Sequence, residues 1–310
     1  MRMWINSKKP TLALAPMADM TDSPFCRVCR EVSGKGFVIF REMVSAEAIV
    51  RGNEKTLKMC EFQEVERPIV IQIFGSNPDV ITKAAKIVVE KYSPDGIDVN
   101  MGCPVSKISG QARSGAALMK DVDTAKSIVK ALKNANFGVP VSVKTRLGWG
   151  KDDEILEFAV GLEKAGVEVI SLHGRTKKQG YSGKANWERI GEVKKLLNVP
   201  VIANGDITSV DDVKKCLKIT NADGVMIGRG ALGNPWIFSG IIPTMEEIKK
   251  VVLRHAKLHL ERYGEDRGLT TFRKHLALYF KGVVGIKKWR TDLVRVSNLD
   301  ELKDVLSKIK

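Results

Sequence analysis

The residues best equipped for chemistry fall at the ends of short apolar runs. In "DVNMGCPVSKISG" (98–110) an alternating apolar run reaches Asn100, and Cys103 follows between a glycine and a proline. A thiol there has two readings: a small packing residue in a tight turn, or a group held at a strand end for proton chemistry. An unperturbed thiol, with a pKa of about 8.5, is mostly protonated near neutrality. Lys144 and Arg146 close "PVSVKTRL", His173 and Arg175 close "VEVISLHGR", and Gln72 lies within "PIVIQIFG". "TLALAPM" leads through Pro16 and Met17 to Ala18, while "PVIANGDI" and "ADGVMIGRG" carry Asn204-Gly205-Asp206 and Gly228-Arg229-Gly230. Glycine-bearing turns of the last kind turn backbone N–H groups toward an anion, so a phosphorylated cofactor is their natural occupant. Any one polar ending could be a helix cap or a surface side chain; their recurrence at run after run argues for a site.

The elements that must position these residues repeat. Apolar or β-branched runs begin at 11, 37, 68, 96, 140, 167, 200 and 222. Helix-period stretches such as "NPDVITKAAKIVVEKY" and "SVDDVKKCLKIT" lie between most of them, several opening on Asp, Asn or Ser as caps. Eight strand–helix units with strands buried on both faces describe a closed parallel (β/α)8, or TIM, barrel of the α/β class. The competing open doubly wound sheet lacks a G-x-G-x-x-G after its first strand. In such a barrel the strand C-termini build the site, which is where the polar endings fall. The interval between the starts at 96 and 140 is the widest, leaving room for a loop over the site. Past residue 243 the strand signal stops and three helical segments follow. The expected organisation is a catalytic barrel over 1–242 and a small helical domain over 243–310.

Charge suggests a partner. The chain has 51 Lys+Arg against 36 Asp+Glu, a net charge of +15. In "TTFRKHLALYFKGVVGIKKWRTDLVR" (270–295) seven basic residues face one acid, with Tyr279, Phe280 and Trp289 interleaved. That composition suits a polyanion surface, the alternative being a solvated lysine-rich face. The five cysteines are an odd number and no cleavable leader is evident, so a reduced, intracellular protein without disulfides is expected. Cys26 and Cys29 form a lone C-x-x-C, best read as helix packing. No run approaches the roughly 20 apolar residues of a membrane span. With no Cys/His/Asp cluster evident at ligand spacing, no metal is expected; His255, His259 and His275 fall on C-terminal helices, where a surface or RNA-facing position is expected.

Six motifs in order, "ALAPMADMTDSPFCRVCRE", "NMGCPVSKISG", "VKTRLGW", "LHGRT", "ANGDI" and "MIGRGALGNPWIF", closely resemble those of the tRNA-dihydrouridine synthases, FMN-dependent reductases built from a TIM barrel and a C-terminal helical domain. The resemblance implies reduction of specific tRNA uridines to 5,6-dihydrouridine, with NADPH or NADH as transient reductant of a tightly bound FMN. Hydride from flavin N5 goes to uracil C6, and the resemblance assigns Cys103 the proton for C5. It places Lys144 against the flavin's N1 and C2 carbonyl, Pro16, Met17, Ala18 and Gln72 along the isoalloxazine ring, and Asn204, Gly205, Asp206, Gly228 and Arg229 at the ribityl phosphate. His173 is expected at the flavin or its phosphate, and Asn100, Arg146 and Arg175 near the target base. On charge, Arg273, Lys274, Lys281, Lys287, Lys288, Arg290 and Arg295 are expected to position tRNA. In "SGQARSGAALM", Arg113 and Ser114 stand where many members are glycine-rich. Two alternatives remain: an FMN barrel acting on a free pyrimidine, of the dihydroorotate dehydrogenase type, and an RNA-binding protein on a catalytically inactive barrel. A cytoplasmic monomer without an obligate protein partner is the expected state.

Overall fold

Eight short parallel strands close on themselves. In the computed structural model, which describes residues 10–309 except 106, 107, 109, 111 and 112, they are Thr11–Leu14 (β1), Phe37–Ser45 (β2), Ile69–Phe74 (β3), Gly96–Met101 (β4), Val141–Arg146 (β5), Val169–His173 (β6), Val201–Asn204 (β7) and Gly224–Ile227 (β8). Each pairs with its sequence neighbours, and β1 pairs with β8 from Thr11↔Gly224 to Leu14↔Ile227, completing the barrel.

Strand alternation decides what enters the barrel. On β4, Ile97, Val99 and Met101 join the large apolar cluster between barrel and helices, which leaves Asp98 and Asn100 on the inner face. By the same period Ser142, Lys144 and Arg146 of β5, and Ser171 and His173 of β6, point inward. A separate inner cluster (Ala13, Ala15, Val38, Phe40, Val70, Val169, Ile202, Met226) fills the rest. The strands are buried on both faces as expected, but part of the inner face is polar.

The outer ring contains Ser23–Ser33 (α1), Ala46–Val50 (α2), Glu54–Cys60 (α3), Pro78–Tyr92 (α4), Val122–Ala135 (α5), Glu154–Ala165 (α6), Trp187–Leu196 (α7) and Val210–Thr220 (α8). Local sequence starts them: Asn77 accepts from the Asp79 and Val80 N–H groups ahead of Pro78, and Asp22 caps α1 by accepting from Phe25 N. Cys26 and Cys29 are buried on α1, where burial pushes both thiols far up.

Beyond the barrel, Met245–Tyr263 (α9), opened by a Thr244/Glu247 capping box, packs on Glu265–Tyr279 (α10). Arg290–Arg295 (α11) and Leu299–Lys308 (α12) complete a second apolar cluster built on Phe272, Leu276, Phe280 and Leu302. Two expectations need correction. Among the described residues four helices, not three, lie past residue 243: α11, at six residues and without a side-chain cap, leaves no periodic signal. Tyr279 and Phe280 are core residues, 3% and 1% exposed, rather than aromatic rungs for RNA, because α10 turns its apolar face inward.

Candidate active site

A cavity of about 560 Å³ opens at the C-terminal ends of the strands. Pro16, Met17, Ala18, Asn100, Cys103, Lys144, Arg146, His173, Asn204, Gly205, Asp206, Gly228 and Arg229 all line it, and Lys281 reaches it from the C-terminal region. Residues scattered over more than two hundred positions thus meet because each terminates, or directly follows, a barrel strand.

The polar inner face holds Cys103 in place through a relay. Ser142 Oγ and Gln72 Nε2 donate to the two oxygens of Asp98, at 2.5 and 2.6 Å. Asn100 Nδ2 donates to Gln72 Oε1 at 2.8 Å, which turns Asn100 Oδ1 toward the backbone N–H of Gly102 and Cys103, at 3.1 and 2.9 Å. Gln72 was expected beside the flavin. It is 1% exposed and not among the cavity residues, because Asp98 and Asn100 occupy its amide. The chain returns to Cys103 at Gly115, where an added Cβ would lie 3.0 Å from the Cys103 carbonyl oxygen. Arg113, at φ 46°, adopts the left-handed backbone that favours glycine. Residues 106, 107, 109, 111 and 112 of this loop lie outside the described residues.

Electrostatics separate the groups. Burial raises the Cys103 thiol above its ordinary value, against the pull of the Val105 backbone, Arg146 and Lys144, so it carries its proton at neutral pH. Lys144 keeps some surface open to the cavity, yet desolvation by the barrel wall, aided by Arg146, lowers it to about 8. Burial, then Lys144, Arg146, Arg175 and Arg229, push His173 well below its usual range, so its imidazole is neutral.

The β7 and β8 turns form the cationic end. Gly205 has φ 117°, and a Cβ there would stand 2.8 Å from Ala185 Cβ and 2.9 Å from His173 Cδ2; at Gly230 it would meet Ile207 O at 2.2 Å. Only glycine fits either turn, and the backbone itself forms that wall. Arg175, expected near the target base, is not among the cavity residues. It is 2% exposed, with Nη2 on both Asp206 oxygens at 2.7 and 2.8 Å and on Gly183 O. Despite partial desolvation, Ala185 N–H and Arg175 hold the Asp206 carboxyl below its usual range. This pair braces the cradle. Arg146 likewise spends Nε and Nη1 on the carbonyls of Gly102, Thr176 and Gly180.

Of the C-terminal basic set, Arg273 donates to the Arg295 and Val296 carbonyls and so caps α11. Lys274, Lys281, Lys287, Lys288, Arg290 and Arg295 are exposed, with Lys281 alone of these among the cavity residues. Sequence reading missed Tyr181, 59% exposed at the mouth, with the Arg229 and Arg146 guanidinium groups 4.6 and 5.5 Å from its ring centre. It missed Trp149 too, overlain by Lys177 and Lys120. Both lie in loops after strands, so aromatic residues in those loops were the available signal.

A protonated thiol, a lysine of lowered pKa and a cationic glycine cradle, gathered at the strand C-termini, define a (β/α)8-barrel enzyme. A family model described as dihydrouridine synthase (Dus) matches residues 13–310, and the chain belongs to that family. It is 38% identical to a probable tRNA-dihydrouridine synthase of Aquifex aeolicus, covering 96% of this chain and 95% of that one. It is 40% identical to tRNA-dihydrouridine synthase B of Pasteurella multocida, over 91% and 87% of the two chains. Among solved structures, histamine dehydrogenase from Rhizobium sp. 4-9 is similar in fold, with a TM-score of 0.55 at 14% identity. The alignment covers 85% of this chain and 48% of that enzyme, so the chain spans about half its length. No helix among the described residues is long and apolar enough to cross a membrane.

Proposed function

We infer that this chain reduces uridines of tRNA to 5,6-dihydrouridine, with FMN as its resident cofactor and NADPH or NADH as transient reductant. The observation that carries this reading is one cavity holding both a protonated thiol on the β4 loop and a lysine of pKa about 8 on β5, beside a cradle fitted to an anion. The cradle fits a phosphorylated cofactor: glycines without room for a Cβ form its wall, and Arg229 supplies positive charge. Bound there, the flavin supplies the hydride for uracil C6.

The chain's residues do the rest. Cys103 delivers a proton to C5, and the Asn100 carboxamide holds its backbone in place. Lys144 would present a cation to the cofactor, and Pro16, Met17 and Ala18, which line the same cavity, would wall it. Asn204, Gly205, Gly228 and Arg229 would hold the ribityl phosphate, with Asp206 and Arg175 supporting the turn. A target uridine must leave its stack, at a cost of a few kcal/mol. Tyr181 at the mouth offers a stacking face of about 1–3 kcal/mol per base. Phosphate contacts from Lys281 and the exposed 287–295 cations offset the remainder. The reading includes a monomer at work in the cytoplasm.

The test is direct: purified protein, unmodified tRNA transcript and NADPH should yield tRNA whose nucleosides include uridine heavier by two hydrogens. Protein purified without flavin, and unable to form dihydrouridine when given FMN and NADPH, would overturn the reading.

A further inference from the structure

The histidines expected on the surface form a buried cluster. His255 and His259, one turn apart on α9, and His275 of α10 are each 0% exposed, and they surround Asp22, the N-cap of α1 on the barrel side. One donor atom from each of the four lies within 4.8 Å of the other three. Burial reverses the expectation because α9 and α10 pack this face against α1, with Phe25, Phe272, Tyr263 and Tyr279 around the rings.

Their outer hydrogen bonds orient the inner atoms. His255 Nδ1 lies 2.9 Å from the Tyr279 hydroxyl and His259 Nδ1 lies 3.4 Å from Thr271 Oγ1, so each Nε2 is turned toward the cluster. The Tyr263 hydroxyl donates to Asp22 Oδ2 at 2.9 Å, and Phe25 N donates to Oδ1. Among the described residues, His255 Nε2, His259 Nε2 and both nitrogens of His275 have no hydrogen-bond partner, although His259 Nε2 stands 3.4 Å from Asp22 Oδ2. Four buried polar atoms without a partner at one point are an unusual concentration.

We propose that Asp22, His255, His259 and His275 bind a divalent metal ion of the zinc class, which fastens the helical domain to the barrel. Three imidazole nitrogens and one carboxylate oxygen make a complete tetrahedral donor set for zinc. Donors at about 2.0–2.1 Å from a tetrahedral ion stand about 3.3 Å apart, a spacing that His259 and Asp22 already have. The remaining donor atoms lie within 4.8 Å of one another and would have to close toward that spacing. Tyr279, Thr271 and Tyr263 occupy the outer positions that commonly orient metal-ligating imidazoles and carboxylates. Four protein ligands and no opening make the site structural. None of the four lines the flavin cavity, so the proposal stands apart from the redox reading. The expectation of no metal looked for ligands close in sequence; His255 and His259 were at helical ligand spacing, but Asp22 and His275 join them only through the fold.

The full-length holoprotein tests this. After treatment with a chelator, zinc chloride alone is titrated back while bound metal and Tm are measured, and the same is done for His255→Gln/His275→Gln. The expected result is one zinc ion per chain with a raised Tm in the parent, and loss of both in the double variant at unchanged flavin content. Should the double variant fail to fold, zinc K-edge absorption of the parent decides, with several imidazole ligands at about 2.0 Å expected. A parent that binds no zinc and keeps its Tm reduces the cluster to aromatic core packing and overturns the proposal. Zinc retained by a folded double variant, or absorption without imidazole ligands, overturns it equally.

Discussion

Cys103 and Lys144 illustrate how placement divides roles between two titratable groups in one cavity. Burial keeps the thiol protonated and lowers the lysine's pKa to about 8. Cys103→Ala should keep bound flavin and its reduction by NAD(P)H, yet lose about 10²–10⁴-fold in uridine reduction, since only the proposed proton donor is removed. Wild-type turnover on tRNA would take the thiol out of the mechanism. Lys144 is cationic below its pKa of about 8 and neutral above it. Flavin reduction should therefore slow as pH rises through about 8, and stopped-flow traces of Lys144→Met should lose that step. A profile unchanged by the substitution would assign the titration to another group.

At the scale of elements, strand alternation and two glycine turns make the cavity. The turn after β7 concentrates the constraint: Gly205 takes a left-handed backbone hard against Ala185 and His173, and Asp206 beside it is held by Arg175. Gly205→Ala should cost about 1–3 kcal/mol through backbone strain and steric overlap. Urea midpoints should fall and flavin should be lost on dialysis, because the displaced turn is the cradle wall. A variant with parental stability and full flavin occupancy would place the anion elsewhere. Arg175 is a lesson at this scale: a cation at a strand end is equally suited to bracing a loop, and the Asp206 carboxylate beside it decided the matter.

Across the whole molecule, the proposed function draws on both the barrel and the C-terminal helices. The barrel carries the cavity, the C-terminal helices carry exposed cations, and Lys281 links them at the mouth. Lys287, Lys288 and Arg290 are exposed and outside the cavity. Reversing their charge together should weaken tRNA binding and reduce the slope of log affinity against log salt, by up to about 0.7–0.9 for each phosphate no longer neutralised. Flavin content and NAD(P)H oxidation should stay at parental levels. Identical affinity and slope in filter-binding assays would make this run a solvated face.

The sequence alone determined the eight-unit barrel, the helical appendage and most of the cavity. Strand periodicity, caps and glycine turns are local properties, and a barrel sends all its strand ends to one place. Asn100, Cys103, Lys144 and Asn204 were legible because position on, or just beyond, a strand was enough to locate them. Tertiary structure alone decided what depends on partners distant in sequence. Gln72 turned from the cavity to Asp98, Arg175 to Asp206 and Arg273 to the Val296 carbonyl, since a side chain's role is set by the nearest group that satisfies it. The histidines of α9 and α10 went the same way. Their spacing could place them on helix faces, but only the docking of those helices on α1 determined that the faces would be buried around Asp22.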